Sequence, residues 1–312
     1  MAMMARCARL MAGVIPVALA TVACAGATTG GWGGASGGTD ASADPGADTV
    51  VALRVESVGG FVTPTMLVGR LPVVAVYSDG RVIDVGPQIA IYPGPALPNV
   101  QLRRISTASV RRLVSRAAAA GIATERDFGQ PPIADATSTR FTIRTASGVG
   151  TAEVPALLES DGTGLTAHQR AARQAARDLY DALTDLPGTL GRGAVSESAA
   201  YTPTALAAIA APKIEEPCAA SPADGAPGGP CGADVGRDVR PWPGPPLPGK
   251  SVGPGSELGC VTASGDEAAT LLAAARTAVS TTSWTSGGRQ WSATFRPLLP
   301  DESSCADLTA SR

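Results

Sequence analysis

Apolar and polar residues alternate in "VVALRVES", residues 50–57. Val51, Leu53 and Val55 fall on one side, with Arg54 and Glu56 on the other. That period of two predicts a half-buried strand, which "GGF", Gly59 to Phe61, interrupts. "PVVAVYSDGRVIDV" (72–85) reads as a hairpin. Asp79-Gly80 suits a type I′ turn, which would oppose Ser78 to Arg81, Tyr77 to Val82 and Val76 to Ile83. A proline-set connection, "YPGPALP" (92–98), leads to a short strand, "VQLRRI" (100–105).

The period then lengthens. Val110, Leu113, Val114 and Ala117 share one helical face, and Arg111, Arg112 and Arg116 point elsewhere. Ser106 or Thr107 caps this helix and Gly121 ends it. "STRFTIRTASGVGTAEVPA" (138–156) predicts a second hairpin turning near Ser147-Gly148. Thr166 and Gln169 form a capping box. It opens a helix with Ala172, Ala175, Ala176, Leu179, Leu183 and Leu186 at helical spacing, closed by Pro187-Gly188.

"YTPTALAAIAAPKI" (201–214) reads as one more edge strand, and 215–258 as a Pro/Gly-rich segment with polyproline at 240–249. The last unit is "GCVTASG" (259–265), a helix over 266–278, and a hairpin turning at Gly287-Gly288. Counting outward from that turn pairs Ser286 with Arg289, Thr285 with Gln290, and Trp284 with Trp291. Both tryptophans then share a face with Ala293 and Phe295, while Ser292, Thr294 and Arg296 take the other. Aromatics are only 4% of the chain, so this face is expected to be core, set against Leu271 and Leu272. The fold class expected is α+β: helices packed on an antiparallel β-sheet, with a disulfide-stapled C-terminal β-α-hairpin unit. The expected domains are 49–214 and 259–312, joined by 215–258.

Before residue 49 the pattern is of another kind. Residues 1–23 carry Arg6 and Arg9, then a short apolar run, and read as a secretory signal peptide. Small residues lead into Cys24. This resembles a bacterial lipobox, in which the cysteine becomes lipid-modified; Val22, Ala23 and Cys24 fit, and Thr21 stands where leucine is usual. Residues 25–48 are rich in Gly, Ala, Ser and Thr and are expected to act as a leash. "GASGG" (34–38) matches the spacing of a nucleophile elbow, but without the strand and helix that motif requires, so Ser36 reads as a linker residue. The expectation is a protein anchored to the outer face of the cell membrane through lipid on Cys24, the alternative being a secreted one.

The formal net charge is −2, with no basic stripe interleaved with aromatics, so no nucleic-acid partner is expected. Six cysteines are present: Cys7 and Cys24 in the N-terminal segment, and Cys218, Cys231, Cys260 and Cys305 beyond it. An even set in an exported chain reads as disulfides. Three pairings are open. Cys218–Cys231 and Cys260–Cys305 are favoured, the first closing a short coreless loop and the second tying the start of the last unit to its end. Zinc is disfavoured, because no C-x-x-C pair exists and the sole histidine, His168, sits on a distant helix. His168 is also the only candidate base for a nucleophilic triad, and it falls in an exposed first turn. Carboxylates such as Asp127, Asp266, Glu267, Asp301 and Glu302 are not placed by any motif. Arg296 is expected to bond a backbone carbonyl or a carboxylate. No phosphate-binding or dinucleotide glycine pattern occurs, so no enzyme activity, cofactor or metal is expected.

The pattern "LRVESVGGF … YSDGRVI … YPGPALP … SWTSGGRQW … FRPLLPDESSC" resembles uncharacterised exported lipoproteins of high-GC Gram-positive bacteria, a resemblance that implies no activity. Residues 49–187 also resemble emfourin-type inhibitors of thermolysin-like proteases, on Gly59, Gly60, Phe61 and Asp135. The chain departs from that pattern by inserting the Asp79-Gly80 hairpin and adding the C-terminal half. The roles expected are a non-catalytic binding or structural one toward an envelope protein, or inhibition of a thermolysin-like metalloprotease, with Gly59, Gly60, Phe61 and Asp135 as the binding residues.

Overall fold

The computed structural model describes residues 50–213 and 238–310. The expected signal peptide, the lipid attachment expected at Cys24, the expected leash and the favoured Cys218–Cys231 pairing all lie outside those residues. The chain order begins with β1 (Val51–Gly59), α1 (Pro64–Gly69), β2 (Val74–Tyr77), β3 (Arg81–Val85) and β4 (Val100–Arg104). It continues with α2 (Thr107–Ala119), β5 (Thr137–Thr145), β6 (Gly148–Pro155), α3 (Ala167–Thr184), α4 (Leu186–Leu190) and β7 (Ala199–Ala200). Among the described residues these strands form a seven-stranded sheet, ordered β6-β5-β1-β2-β3-β4-β7.

The helices that cover this sheet follow the sequence pattern. Ser106 caps α2 by accepting from Ser109 N, and Val110, Leu113 and Ala117 are buried. The Thr166–Gln169 capping box opens α3, whose Ala172, Ala176, Leu179 and Leu183 are buried. They pack with Leu53, Val55, Phe141, Ile143 and Val154 into one core. α3 stops earlier than expected, at Thr184. Asp185 then caps a new short helix by accepting from Gly188 N at 3.0 Å, and Pro187 sits in its first turn, where a missing N–H costs nothing.

The first hairpin differs from the expected register. Only Gly80 takes a positive φ, +87°, so the two-residue type I′ turn does not form. A three-residue loop places Val76 opposite Val82 and Ala75 opposite Ile83. The Asp79 carboxylate fixes this loop, accepting from Arg81 N at 3.0 Å and Arg81 Nε at 2.6 Å.

The rest of the chain supplies β8 (Ala205–Pro212), β9 (Val239–Pro241), β10 (Lys250–Ser251), β11 (Gly259–Ser264), α5 (Gly265–Arg276), β12 (Ser283–Ser286), β13 (Arg289–Pro297) and α6 (Cys305–Ala310). They build a six-stranded sheet, ordered β10-β11-β8-β13-β12-β9. β8 is not an edge strand. It lies between β11 and β13 and is buried on both faces from Ala205 to Ala210, so its run is continuously apolar. The second sheet therefore begins before residue 214, and the expected boundary there cuts through it. All described residues belong to one unit, Asp44–Arg312.

One face of the second sheet carries Trp284, Trp291, Phe295, Leu271 and Leu272; the other carries Val68 of α1, Ile209, Leu298 and Leu308 of α6. The last hairpin has the register counted from its turn, with Trp284 opposite Trp291 and Ser286 opposite Arg289. Gly287 and Gly288 have φ +58° and +72°, as a type I′ turn requires. The 238–258 stretch is not a separate segment. Val239–Pro241 adds a parallel edge strand to β12, and the Trp242 ring meets Trp284 edge-on, 5.4 Å between centroids. A Cys260–Cys305 disulfide joins β11 to α6, with Cα atoms 6.0 Å apart.

Candidate functional site

The first sheet has a covered face and a divided one. α2 and α3 cover the first. On the second, Leu299, Leu71 and Tyr201 cover β2 to β4, packing on Ala75, Tyr77 and Ile83. Over β1, β5 and β6 that face stays polar. The alternation that buries Leu53 and Val55 turns Arg54, Glu56 and Val58 to this side. Strand register then builds two cross-strand rows. Glu56 lies opposite Arg140, which lies opposite Glu153; Arg54 lies opposite Thr142, which lies opposite Thr151.

A cleft of about 310 Å³ opens between this face and the elements of the second sheet. Arg54, Glu56, Arg140 and Glu153 form its charged wall. Leu67, Val68, Leu71 and Leu308 supply its apolar lining, and Arg70, Arg296, Glu302 and Asp307 line it too. A shallower hollow continues across β1, β5 and β6 to Thr142, Arg144 and Asp301.

Most charges at the cleft are held by partners within the fold. Arg54 Nη2 donates to both Asp301 carboxylate oxygens at 2.7 Å, and Tyr77 Oη donates to Asp301 Oδ1 at 2.7 Å. Burial works against the Arg54 charge, but Asp301, then Tyr77 and Glu56, outweigh it and raise its pKa above the ordinary value. Burial and Asp301 push the Tyr77 phenol upward too. Arg296 Nη2 donates to Glu302 Oε1 at 2.8 Å, and Glu302 Oε2 accepts from Leu299 N at 2.8 Å. Arg296 also donates to the Pro297 carbonyl, so both kinds of partner expected for it are present. Arg140 Nη2 donates to Glu153 Oε2 at 3.1 Å. The Glu56 carboxylate accepts no hydrogen bond among the described residues.

Gly59, Gly60, Phe61 and Asp135 come together at the rim, where Gly59 lines the cleft. Phe61 N donates to the Asp135 carbonyl at 3.3 Å. Arg70 Nη1 donates to the carbonyls of Ser57 at 2.9 Å and Gly59 at 3.1 Å. Gly59, Gly60 and Asp135 all have positive φ, +64°, +82° and +58°. A Cβ on Gly60 would stand 2.7 Å from Thr137 Cγ2. The backbone of this turn is thus held from several sides, yet the Phe61 side chain is 89% exposed. Asp135 contributes through its carbonyl, and its side chain is not needed for the contact.

His168 lies exposed in the first turn of α3. Among the described residues, no three His, Cys, Asp or Glu side chains converge as a metal site requires. No match is found among protein-family models, curated proteins or solved structures. Gly59, Gly60, Phe61 and Asp135 were named from a resemblance, and the Arg54–Tyr77–Asp301 cluster was not expected. Its outward residues were legible from alternation; that Asp301 meets them was not, because no local pattern links positions so far apart.

Proposed function

We propose that this chain is a lipid-anchored, extracytoplasmic protein with a non-catalytic binding role, and that it engages a protein of the cell envelope through the Phe61 rim. The exposed Phe61 ring on a fixed turn carries this reading. An aromatic side chain offers large contact area, and a backbone already held loses little freedom when a partner covers it. The Cys260–Cys305 disulfide suits an oxidising compartment. Cys24 supplies the anchor in this reading.

Two measurements test this reading. A fatty-acid analogue should label the wild type and not Cys24→Ser, which should appear in the medium; equal labelling of both overturns the anchor. A photo-crosslinking residue at position 61 should give one discrete adduct in intact envelopes, absent when the residue is placed at exposed Arg144. No adduct, or the same adducts from both positions, overturns the binding role of the rim.

A second reading is inhibition of a thermolysin-like metalloprotease. It is favoured by the meeting of Gly59, Gly60, Phe61 and Asp135 at one turn. Inhibition of a thermolysin-like panel by the full mature chain, lost in Phe61→Ala, would establish it in place of the first.

A further inference from the structure

We infer that the cleft beside the rim binds an organic ammonium with an apolar body, seated on the Glu56 carboxylate. Binding in this cleft does not require Phe61.

Glu56, Arg140 and Glu153 form one row across β1, β5 and β6. It holds two carboxylates and one guanidinium, and the Arg140 guanidinium reaches to Glu153 on β6. Glu56 is left on the other flank as an acceptor that no described residue fills. The cations near it are already engaged. Arg54, which also feels the Glu56 charge, is held by Asp301, Arg296 is held by Glu302, and Arg70 donates through Nη1 to two carbonyls. Arg54 Nε has no acceptor, but it is buried beyond the reach of a ligand in the cleft. A carboxylate or phosphate entering here would meet the Glu56 charge. An ammonium meets an unfilled, half-buried acceptor and forms a charge-assisted hydrogen bond.

The apolar wall sets the rest of the ligand. Val58 follows Glu56 on the same side of β1, two residues and roughly 7 Å further along. Leu67, Val68, Leu71 and Leu308 face it across the cleft. An unbranched body of about that length lies along this wall with its ammonium at Glu56. A free alkylamine and a lysine side chain share this chemistry, and the volume of about 310 Å³ admits either.

Titration of the full mature chain with n-hexylamine, N-acetyl-lysine methylamide, n-hexanol and hexanoate, followed by calorimetry, tests the inference. Hexylamine should bind saturably, with hexanol at least tenfold weaker and hexanoate not binding. Glu56→Gln should weaken hexylamine at least tenfold and leave hexanol unchanged. Leu67→Lys, which supplies an ammonium from the opposite wall, should abolish hexylamine binding. Circular dichroism and thermal melting verify that both variants are folded. Phe61→Ala should bind hexylamine as the wild type does, which separates failure here from failure of the rim. Tighter binding of the lysine derivative than of hexylamine assigns the natural ligand to a polypeptide, and the reverse order to a free amine. Absence of saturable hexylamine binding, hexanoate binding as tightly as hexylamine, or an unchanged affinity in folded Glu56→Gln overturns the inference.

Discussion

Arg54 on β1 and Asp301 beyond β13 stand 247 positions apart and form an ion pair of 2.7 Å. The pair ties the first sheet to the segment after the second, and Tyr77 donates to the same carboxylate. Removing Asp301 leaves a guanidinium and a phenol half-buried without their acceptor. Asp301→Ala should therefore cost on the order of 3 kcal/mol in urea denaturation. Arg54→Met with Asp301→Leu should cost less than Asp301→Ala alone, because no charge is stranded. A double variant less stable than the single one would show that the pair itself, and not the unpaired charge, sets the energy.

Alkaline pH should weaken the fold. Burial pushes the Tyr201 phenol up to about 12, and burial with Asp301 raises Tyr77 as well. A raised phenol means that the folded chain keeps a proton the unfolded chain releases. Above about pH 10 the unfolded state binds fewer protons, so stability falls as pH rises. For Tyr201 the decline runs from about pH 10 to about 12. The denaturation midpoint should drop over that window, and the drop should be smaller in Tyr77→Phe/Tyr201→Phe. A flat profile in the wild type would contradict the burial of these phenols.

Two aromatic residues should behave oppositely. Trp291 is 3% exposed and packs in the core with Trp284 and Phe295, whereas Phe61 is 89% exposed. Trp291→Ala should cost roughly 3–5 kcal/mol. Phe61→Ala should stay within about 0.5 kcal/mol of the wild type. Chemical denaturation of both variants decides it, and a large cost at Phe61 would mean that its ring is covered.

Glycines at the two hairpins should also differ. Gly80 has φ +87°, and an added Cβ would stand 2.1 Å from the Ile105 carbonyl oxygen. Gly80→Asn meets that oxygen whatever its tolerance of positive φ, so it should cost about 2 kcal/mol or more. Gly287 has φ +58° with nothing within 4 Å of a Cβ, and asparagine is at home in such a turn. Gly287→Asn should shift the melting temperature by only a few degrees. Equal losses at both sites would mean that φ alone, and not the Ile105 contact, limits Gly80.

The elements that sequence reading recovered rest on short-range physics. The Thr166–Gln169 box satisfies its own helix end, and the Trp284–Trp291 pairing follows from a two-residue turn by counting. The Cys260–Cys305 bond was legible because it joins the two ends of one unit. The errors fell where a distant neighbour decided the outcome. At Asp79-Gly80 the Ile105 strand end closes on Gly80, with Ile105 N donating to the Gly80 carbonyl at 2.9 Å, and the loop takes three residues instead of two. A run such as "ALAAIA" reads equally as an edge or a centre, since its apolar residues do not say how many neighbours will come.

The sequence by itself determined where α2, α3 and α5 lie, which side of β1 and of β13 is apolar, and that Arg54 and Glu56 face away from the core, but not the short helices α1, α4 and α6. Capping, periodicity and turn counting act over a few positions and need no knowledge of the rest of the chain. Only the tertiary structure decided that β8 joins β11 to β13, that Trp242 enters the second core, and that Asp301 occupies Arg54 while Glu56 keeps an open carboxylate at the cleft. Those outcomes depend on which surfaces meet after both sheets have formed, and a charge finds its partner by distance in space, which neither composition nor spacing along the chain encodes.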